Sequence, residues 1–222
     1  MALEVRRMKL AVPLVVAMLL AAAPSFAQEP RPLPVAVLEV RGLTGGLPND
    51  LVTAGDLGLT AATLPDRALG GVAGLHFYPV RRQGFTVGIG GEGLLARGRS
   101  DVLDATGAPT GARIVRHLQG LAGIVSLNFG HADGWSHISA GVGPLKFKTA
   151  ISPPPTLPGD AADPPYALTV NGGAGARWFL SRHAAVGFDI RFYFTRAAVG
   201  SPGSAGREAA RLVLLSAGVT IK

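Results

Sequence analysis

Cysteine is absent: the chain has 222 residues and none of them is Cys. Disulfide staples, thiolate metal ligands and cysteine nucleophiles are therefore excluded. Charge is scarce as well. Asp, Glu, Lys and Arg together make up 16%, against roughly a quarter in an ordinary soluble domain. A disordered chain needs little apolar surface and much charge; here hydrophobic residues are 48% and mean hydropathy is +0.33. Long hydrophobic runs are missing beyond residue 27, where no stretch reaches the ~20 residues of a membrane-spanning helix. What is plentiful is glycine, 31 residues, about twice the usual share. Each glycine costs about 1 kcal/mol inside a helix, which argues against a helical bundle.

Arg6, Arg7 and Lys9 precede an apolar stretch from Leu10 to Pro24, and Ser25-Phe26-Ala27 places small residues at −3 and −1. That pattern is a cleaved secretory signal. Residues 1–27 are expected to be the signal peptide and 28–222 a single exported domain. An exported, apolar chain without a helical span points to strands, because barrels hide their hydrophobicity in alternation.

The alternation is visible. From Ala185 to Phe194, Val186, Phe188, Ile190, Phe192 and Phe194 share one face, and Gly187, Asp189, Arg191 and Tyr193 the other. Successive side chains in a strand point to opposite faces, so one face is apolar and the other polar. The same pattern recurs over 35–42, 73–78, 85–92, 121–129, 137–142, 168–180 and 211–222, giving eight candidate strands. At Gly143-Pro144 a phase slip is expected, with a bulge letting Leu145 and Phe147 continue the apolar face and turning Lys146 inward. Short connections at 81–84, 130–134 and 181–183 lie about fifty residues apart and alternate with long ones near 43–68, 99–114, 151–165 and 197–209. Short turns on one side and long loops on the other is the wiring of outer-membrane barrels, with periplasmic turns and extracellular loops. The expected fold is all-β, an eight-stranded antiparallel up-and-down transmembrane β-barrel.

Leu69-Gly70-Gly71-Val72-Ala73-Gly74-Leu75-His76-Phe77-Tyr78-Pro79 resembles the second strand of small bacterial outer-membrane barrels. Gly172-Gly173-Ala174-Gly175-Ala176-Arg177-Trp178-Phe179-Leu180-Ser181-Arg182-His183, with Gly187 to Tyr193 after it, is similar to their third hairpin. The chain thus resembles the outer-membrane β-barrel domain family, relatives of the OmpA and OmpX type. The resemblance implies a place in the outer membrane of a Gram-negative-type bacterium, with outer-membrane lipids and the barrel assembly machinery as partners. Such chains usually end on an aromatic that this machinery reads; here the last residues are Val219-Thr220-Ile221-Lys222.

Motifs that carry chemistry are weak. Gly88-Ile89-Gly90-Gly91-Glu92-Gly93 matches a dinucleotide fingerprint but sits inside an alternating strand, whereas the fingerprint needs a helix after it. His137 and Ser139 share a strand face, as in outer-membrane lipid A deacylases, yet a third, orienting carboxylate is needed and the next strand has no Asp or Glu. The five histidines show no metal-ligand spacing. Neither a cofactor nor a metal is expected.

The inward charges carry more. Glu39, Arg41, Glu92, Lys146, Arg177, Asp189 and Arg191 all fall on polar faces by parity. The interior of an eight-stranded barrel is only just wide enough for its own side chains, so charges there must pair or be wet. Arg177 is expected to pair with Asp189 or to reach Glu92, and Arg191 to take the carboxylate left over. A non-enzymatic, monomeric outer-membrane protein with a plugged lumen follows, serving envelope integrity or binding an extracellular ligand through four long loops. A narrow pore and a soluble periplasmic lipocalin-like carrier are the alternatives. The loops concentrate no charge of one sign, so nucleic acid is not an expected partner.

Overall fold

A period of two fixes which way each side chain faces, and hydrogen bonding along every edge then closes the sheet. The computed structural model describes residues 34–82, 84–104, 106–131, 133–152, 165–197 and 208–222. The expected signal peptide, and 153–164 and 198–207 of the proline- and glycine-rich connections, lie outside the described residues. Eight strands run β1 (Ala36–Gly46), β2 (Arg67–Arg82), β3 (Gly84–Leu103), β4 (Pro109–His131), β5 (Gly134–Ser152), β6 (Ala167–Phe179), β7 (Ala184–Thr195) and β8 (Ala210–Ile221). Each pairs antiparallel with its neighbour in sequence, and β1 pairs with β8 to close the barrel. Closure removes the two edges that an open sheet would leave unpaired.

The exterior is apolar. Leu38, Leu75, Ile89, Leu121, Val125, Ile138, Val170, Phe188, Phe192 and Leu215 all point outward and are exposed. In water such a wall would be an aggregation surface; against lipid it is the expected solvent-facing side.

The interior is layered. At the short-turn end, Val37, Tyr78, Trp135, Phe179 and Ala185 form a floor. Its rings meet edge-on, Trp135 against Phe179 with centroids 5.1 Å apart at 87° and Tyr78 against Trp135 at 5.1 Å and 58°, geometries that aromatic quadrupoles favour. Charged residues fill the middle. Toward the loops the lumen turns apolar, with Leu43, Val72, Leu94, Leu118, Leu145, Phe147, Leu212 and Leu214 buried together.

Two expectations about the wall are corrected. There is no phase slip at Gly143-Pro144: β5 pairs with β6 in one register from Gly134 to Leu145. Leu145 and Phe147 therefore point into the lumen and Lys146 points out. The parity holds because the lumen itself changes character there. Gly143 is needed for close approach rather than for a bulge, since a Cβ at that position would strike the Leu121 carbonyl oxygen and the Ala122 backbone. The register does shift between Phe77 and Val80, where Pro79 has no N–H to give the ladder. The connection expected at 99–114 is mostly strand: β3 has 20 residues and β4 has 23, while ~9–11 suffice to cross a bilayer. This hairpin projects past the membrane, where water meets both faces and apolar alternation is no longer required. The β1–β2 connection holds a short helix, α1 (Leu51–Asp56), capped by Asp50, which accepts from Thr53 N at 3.1 Å. Its Ala54 packs with Leu64 and Ile114 in a small buried cluster.

Candidate functional site

Inward parity brings charged and ionisable residues from six strands to one level: Glu39 and Arg41 of β1, His76 of β2, Glu92 of β3, His137 of β5, Arg177 of β6, and Asp189 and Arg191 of β7. All are buried. Burying one charge alone is prohibitive, so the geometry of pairing decides whether such a belt can exist.

The pairing is extensive. Arg41 Nη2 donates to Glu92 Oε1 at 2.8 Å, and its Nη1 lies 3.5 Å from Asp189 Oδ1. Arg177 Nη2 lies 2.9 Å from Glu39 Oε1, and Arg177 Nη1 donates to Tyr78 Oη at 2.8 Å. Arg191 reaches Glu92 Oε2 at 3.1 Å and Asp189 Oδ1 at 3.2 Å, and also donates to Asn171 and Ser139. His137 Nε2 lies 3.1 Å from Asp189 Oδ2. His76 Nε2 lies 3.3 Å from Glu92 Oε1 and 3.7 Å from Glu39 Oε2. Glu39, Glu92 and Asp189 thus stand against Arg41, Arg177 and Arg191, so the three carboxylates of the belt are balanced by its three guanidiniums. Charge-assisted bonds of this kind are about twice as strong as neutral ones.

Six of the seven residues expected in the lumen are brought together. Lys146 is not among them. It lies on the outer face of β5 with its ammonium 5.3 Å from the Tyr166 ring centroid, because the phase slip that would have turned it inward does not occur. Arg177 takes neither expected carboxylate. Gly187 stands opposite it on β7, as counting from the turn requires, but Asp189 is held by Arg191, Arg41 and His137. Arg177 instead spans to β1, with its guanidinium 5.8 Å over the Trp135 ring. Arg191 takes two carboxylates rather than one remainder. Sequence reasoning missed His76, His137, Tyr78 and Asn171 as members. Their polar-face parity was the available signal, masked because histidine was sought as a metal ligand.

The candidate chemistry resolves from the same distances. The carboxylate that β6 lacks comes to His137 from β7, as Asp189. Ser139 does not complete a triad: its hydroxyl accepts from Arg191 at 3.2 Å, and His137 Nδ1 is buried without a hydrogen-bond partner. A base and nucleophile must touch. Residues 88–93 are interior to β3, with no helix following to cradle a phosphate. Ligand atoms of Glu39, His76 and Glu92 lie within 4.8 Å of one another. Three guanidiniums already neutralise these carboxylates and their neighbour Asp189, however, so a divalent cation would bring uncompensated positive charge into the belt. The belt fits an ion-pair network better than a metal centre. Its polar middle also reverses the arrangement of a soluble carrier, whose apolar side faces in.

No family model and no curated protein matches the chain. Among solved structures, the crystal structure of Neisserial surface protein A matches with TM-score 0.50 at 10% identity, covering 85% of this chain and 97% of that one. The fold is that of a small eight-stranded outer-membrane barrel. Ail of Yersinia pestis gives TM-score 0.41 at 10% identity over 87% of this barrel's chain and 99% of its own. The N-terminal barrel domain of Pseudomonas aeruginosa OprF gives 0.38 at 12% identity, over 84% and 96%. At these identities the likeness is one of fold.

Proposed function

We propose that the chain is a non-enzymatic outer-membrane protein whose lumen is plugged, and that it serves the envelope as a stable wall element presenting loops for surface binding. The observation that supports this reading is the balanced belt, flanked by an aromatic floor and an apolar upper layer. A solute would have to part Arg41 from Glu92 and Arg177 from Glu39 and then cross close-packed Leu and Phe side chains. Both steps are costly in a dry interior. Monomeric assembly through the barrel machinery, with the short turns periplasmic, completes the proposal.

Two measurements test it. Envelope fractionation with heat-modifiable gel migration should place the protein in the outer membrane and show a folded form that resists SDS until boiled. Purified protein in planar bilayers should give no steady single-channel current. Regular conductance steps that survive exchange of the detergent would replace the plug with a narrow pore.

A further inference from the structure

A guanidinium taken out of water needs acceptors for its donors and an anion for its charge. Above the belt, at the loop end of the lumen, one arginine meets that need in part. Arg116 of β4 is 1% exposed, the largest fully buried side chain among the described residues. Its Nη1 donates to the Pro48 carbonyl oxygen at 2.6 Å, and its guanidinium lies 5.8 Å from the Phe147 ring centroid. Its Nε is buried without a hydrogen-bond partner. Arg41, Arg177 and Arg191 of the belt reach carboxylates at 2.8, 2.9 and 3.1 Å. Among the described residues, no carboxylate forms an ion pair with Arg116; the charge that acts on it from further off is Asp50.

Two carboxylates share a small cavity with it. Asp50 and Glu208 line that cavity together with Arg116, Pro48 and Phe147. Its volume is ≈ 10 Å³, room for one water and for no ligand. Asp50 is occupied by the cap of α1, where Oδ1 accepts from Thr53 N at 3.1 Å and Oδ2 from the Thr53 hydroxyl at 2.8 Å. Glu208 is exposed, two residues before β8 begins at Ala210. Among the described residues, nothing pairs with its carboxylate.

What Arg116 holds is a lid. The β1–β2 connection, residues 47–66, packs on the lumen-side face of β3, β4 and β5 near their loop ends. Its Ala54 and Leu64 bury against Ile114 of β4, with Val102 of β3 and Ile151 of β5 packed beside them. Ser100 Oγ of β3 donates to the Thr63 carbonyl oxygen at 2.6 Å. Leu47 N donates to the Asp66 carbonyl oxygen at 2.8 Å and closes the base of the lid. The bond from Arg116 to Pro48 fastens its leading end.

We propose that Arg116 is a two-position latch on this lid. In the first position its guanidinium holds the Pro48 carbonyl and the lid is shut, as the structure has it. In the second it takes the Glu208 carboxylate, the bond to Pro48 is given up and the lid is released. The trade replaces a neutral acceptor with a charged one, and a charge-assisted bond is about twice as strong. Against it stands the apolar contact of Ala54 and Leu64 with Ile114, which release exposes to water. The two effects oppose each other, as a device with two populated states requires. The latch rests on the surface-binding reading for its use: a shut lid keeps the apolar side of the β1–β2 connection covered, and a released one presents it.

The test uses the full barrel in detergent and the rate at which a maleimide modifies one introduced thiol. A54C reports the lid, since Ala54 is 2% exposed and is reached when the lid lifts. L118C reports the apolar layer below, where Leu118 is 1% exposed. E208Q removes the second position and should slow modification of A54C by about tenfold, the worth of one hydrogen bond to a charged group. R116M frees Pro48 and should speed it by about the same factor. Adding E208Q to R116M should change nothing further, and L118C should keep its rate throughout. An A54C rate that E208Q leaves unchanged would make Arg116 a fixed clasp and overturn the latch. An equal effect of E208Q with and without Arg116, or an L118C rate that follows A54C, would overturn it too. Should R116M fold poorly, E208Q alters an exposed side chain and decides the question alone. Heat-modifiable migration reads the barrel and lid motion is read without any ligand, so failure of the latch is distinguishable from failure of the membrane or surface-binding reading.

Discussion

Arg177 of β6 and Glu39 of β1 meet at 2.9 Å across the lumen, although three strand steps around the wall separate their strands. Both side chains are buried, at 5% and 6% exposure. Removing one partner strands the other charge. Arg177→Met or Glu39→Gln should therefore cost ~3–5 kcal/mol in urea unfolding from detergent, and the double variant should cost clearly less than the two singles together. The cycle Arg177→Met with Asp189→Asn should show little direct coupling, since no contact joins that pair. Additive losses in the first cycle would mean that the two charges are independently solvated.

Exposure alone does not say which solvent a residue meets. Val125 and Leu103 are outward and similarly exposed, at 55% and 51%. Val125 lies mid-wall between Ile89 and Ala140, while Leu103 ends β3 in the projecting hairpin. Val125→Arg should cost ~2–4 kcal/mol, as a basic side chain at the bilayer midplane does. Leu103→Arg should be close to neutral. Equal tolerance of both would remove lipid as the surrounding of the wall.

The lack of cysteine makes topology directly readable, because any introduced thiol labels against an empty background. Gly107, at positive φ in the β3–β4 turn, and Arg182, between β6 and β7, mark opposite ends. With an impermeant maleimide on intact cells, G107C should label at once and R182C only after the outer membrane is opened. The reverse order would invert the barrel.

The tip of the projecting hairpin should respond to acid. Asp104 Oδ1 accepts from the Thr106 hydroxyl at 2.6 Å, Thr106 N at 2.8 Å and Ala108 N at 2.9 Å. These bonds, the Thr106 hydroxyl foremost, hold its carboxyl below the ordinary carboxylate value. A depressed folded value means the stabilisation is fully present above the ordinary value and is lost as pH falls through the lower one. Exchange protection of the Ala108 amide should therefore decline as pH falls below the ordinary carboxylate value, and Asp104→Asn should abolish that dependence.

Much of the wall was legible because strand side chains repeat every two residues whatever the fold around them. Asp189, Arg191 and Phe192 declare their faces in sequence. The rest failed for three physical reasons. Leu145 and Phe147 are apolar and inward, so hydrophobicity misreports parity wherever the lumen itself is apolar, and Lys146 was carried inward with that error. Arg99 to Arg113 lies where the hairpin leaves the bilayer, so the one-sided pattern that marks a membrane strand fades while the ladder goes on. The partner of Arg177 was illegible for another reason. Counting along one hairpin fixes Gly187 opposite it, but which side chains meet across a lumen depends on strand tilt and stagger around the whole ring.

Neutrality of the belt has a consequence for assembly. β1 contributes both Glu39 and Arg41, while Arg177, Asp189 and Arg191 arrive on β6 and β7, which reach β1 through β8. Thr220 of β8 also donates to Glu39 at 3.4 Å. A sheet that has not yet zipped its first strand to its last would hold Glu39 at one margin and its counterion Arg177 beyond the other, and would part Arg41 from Asp189. Lipid would penalise both margins. Seam formation and the last charge pairings are thus coupled, and a barrel paused one strand short leaves Glu39 without Arg177.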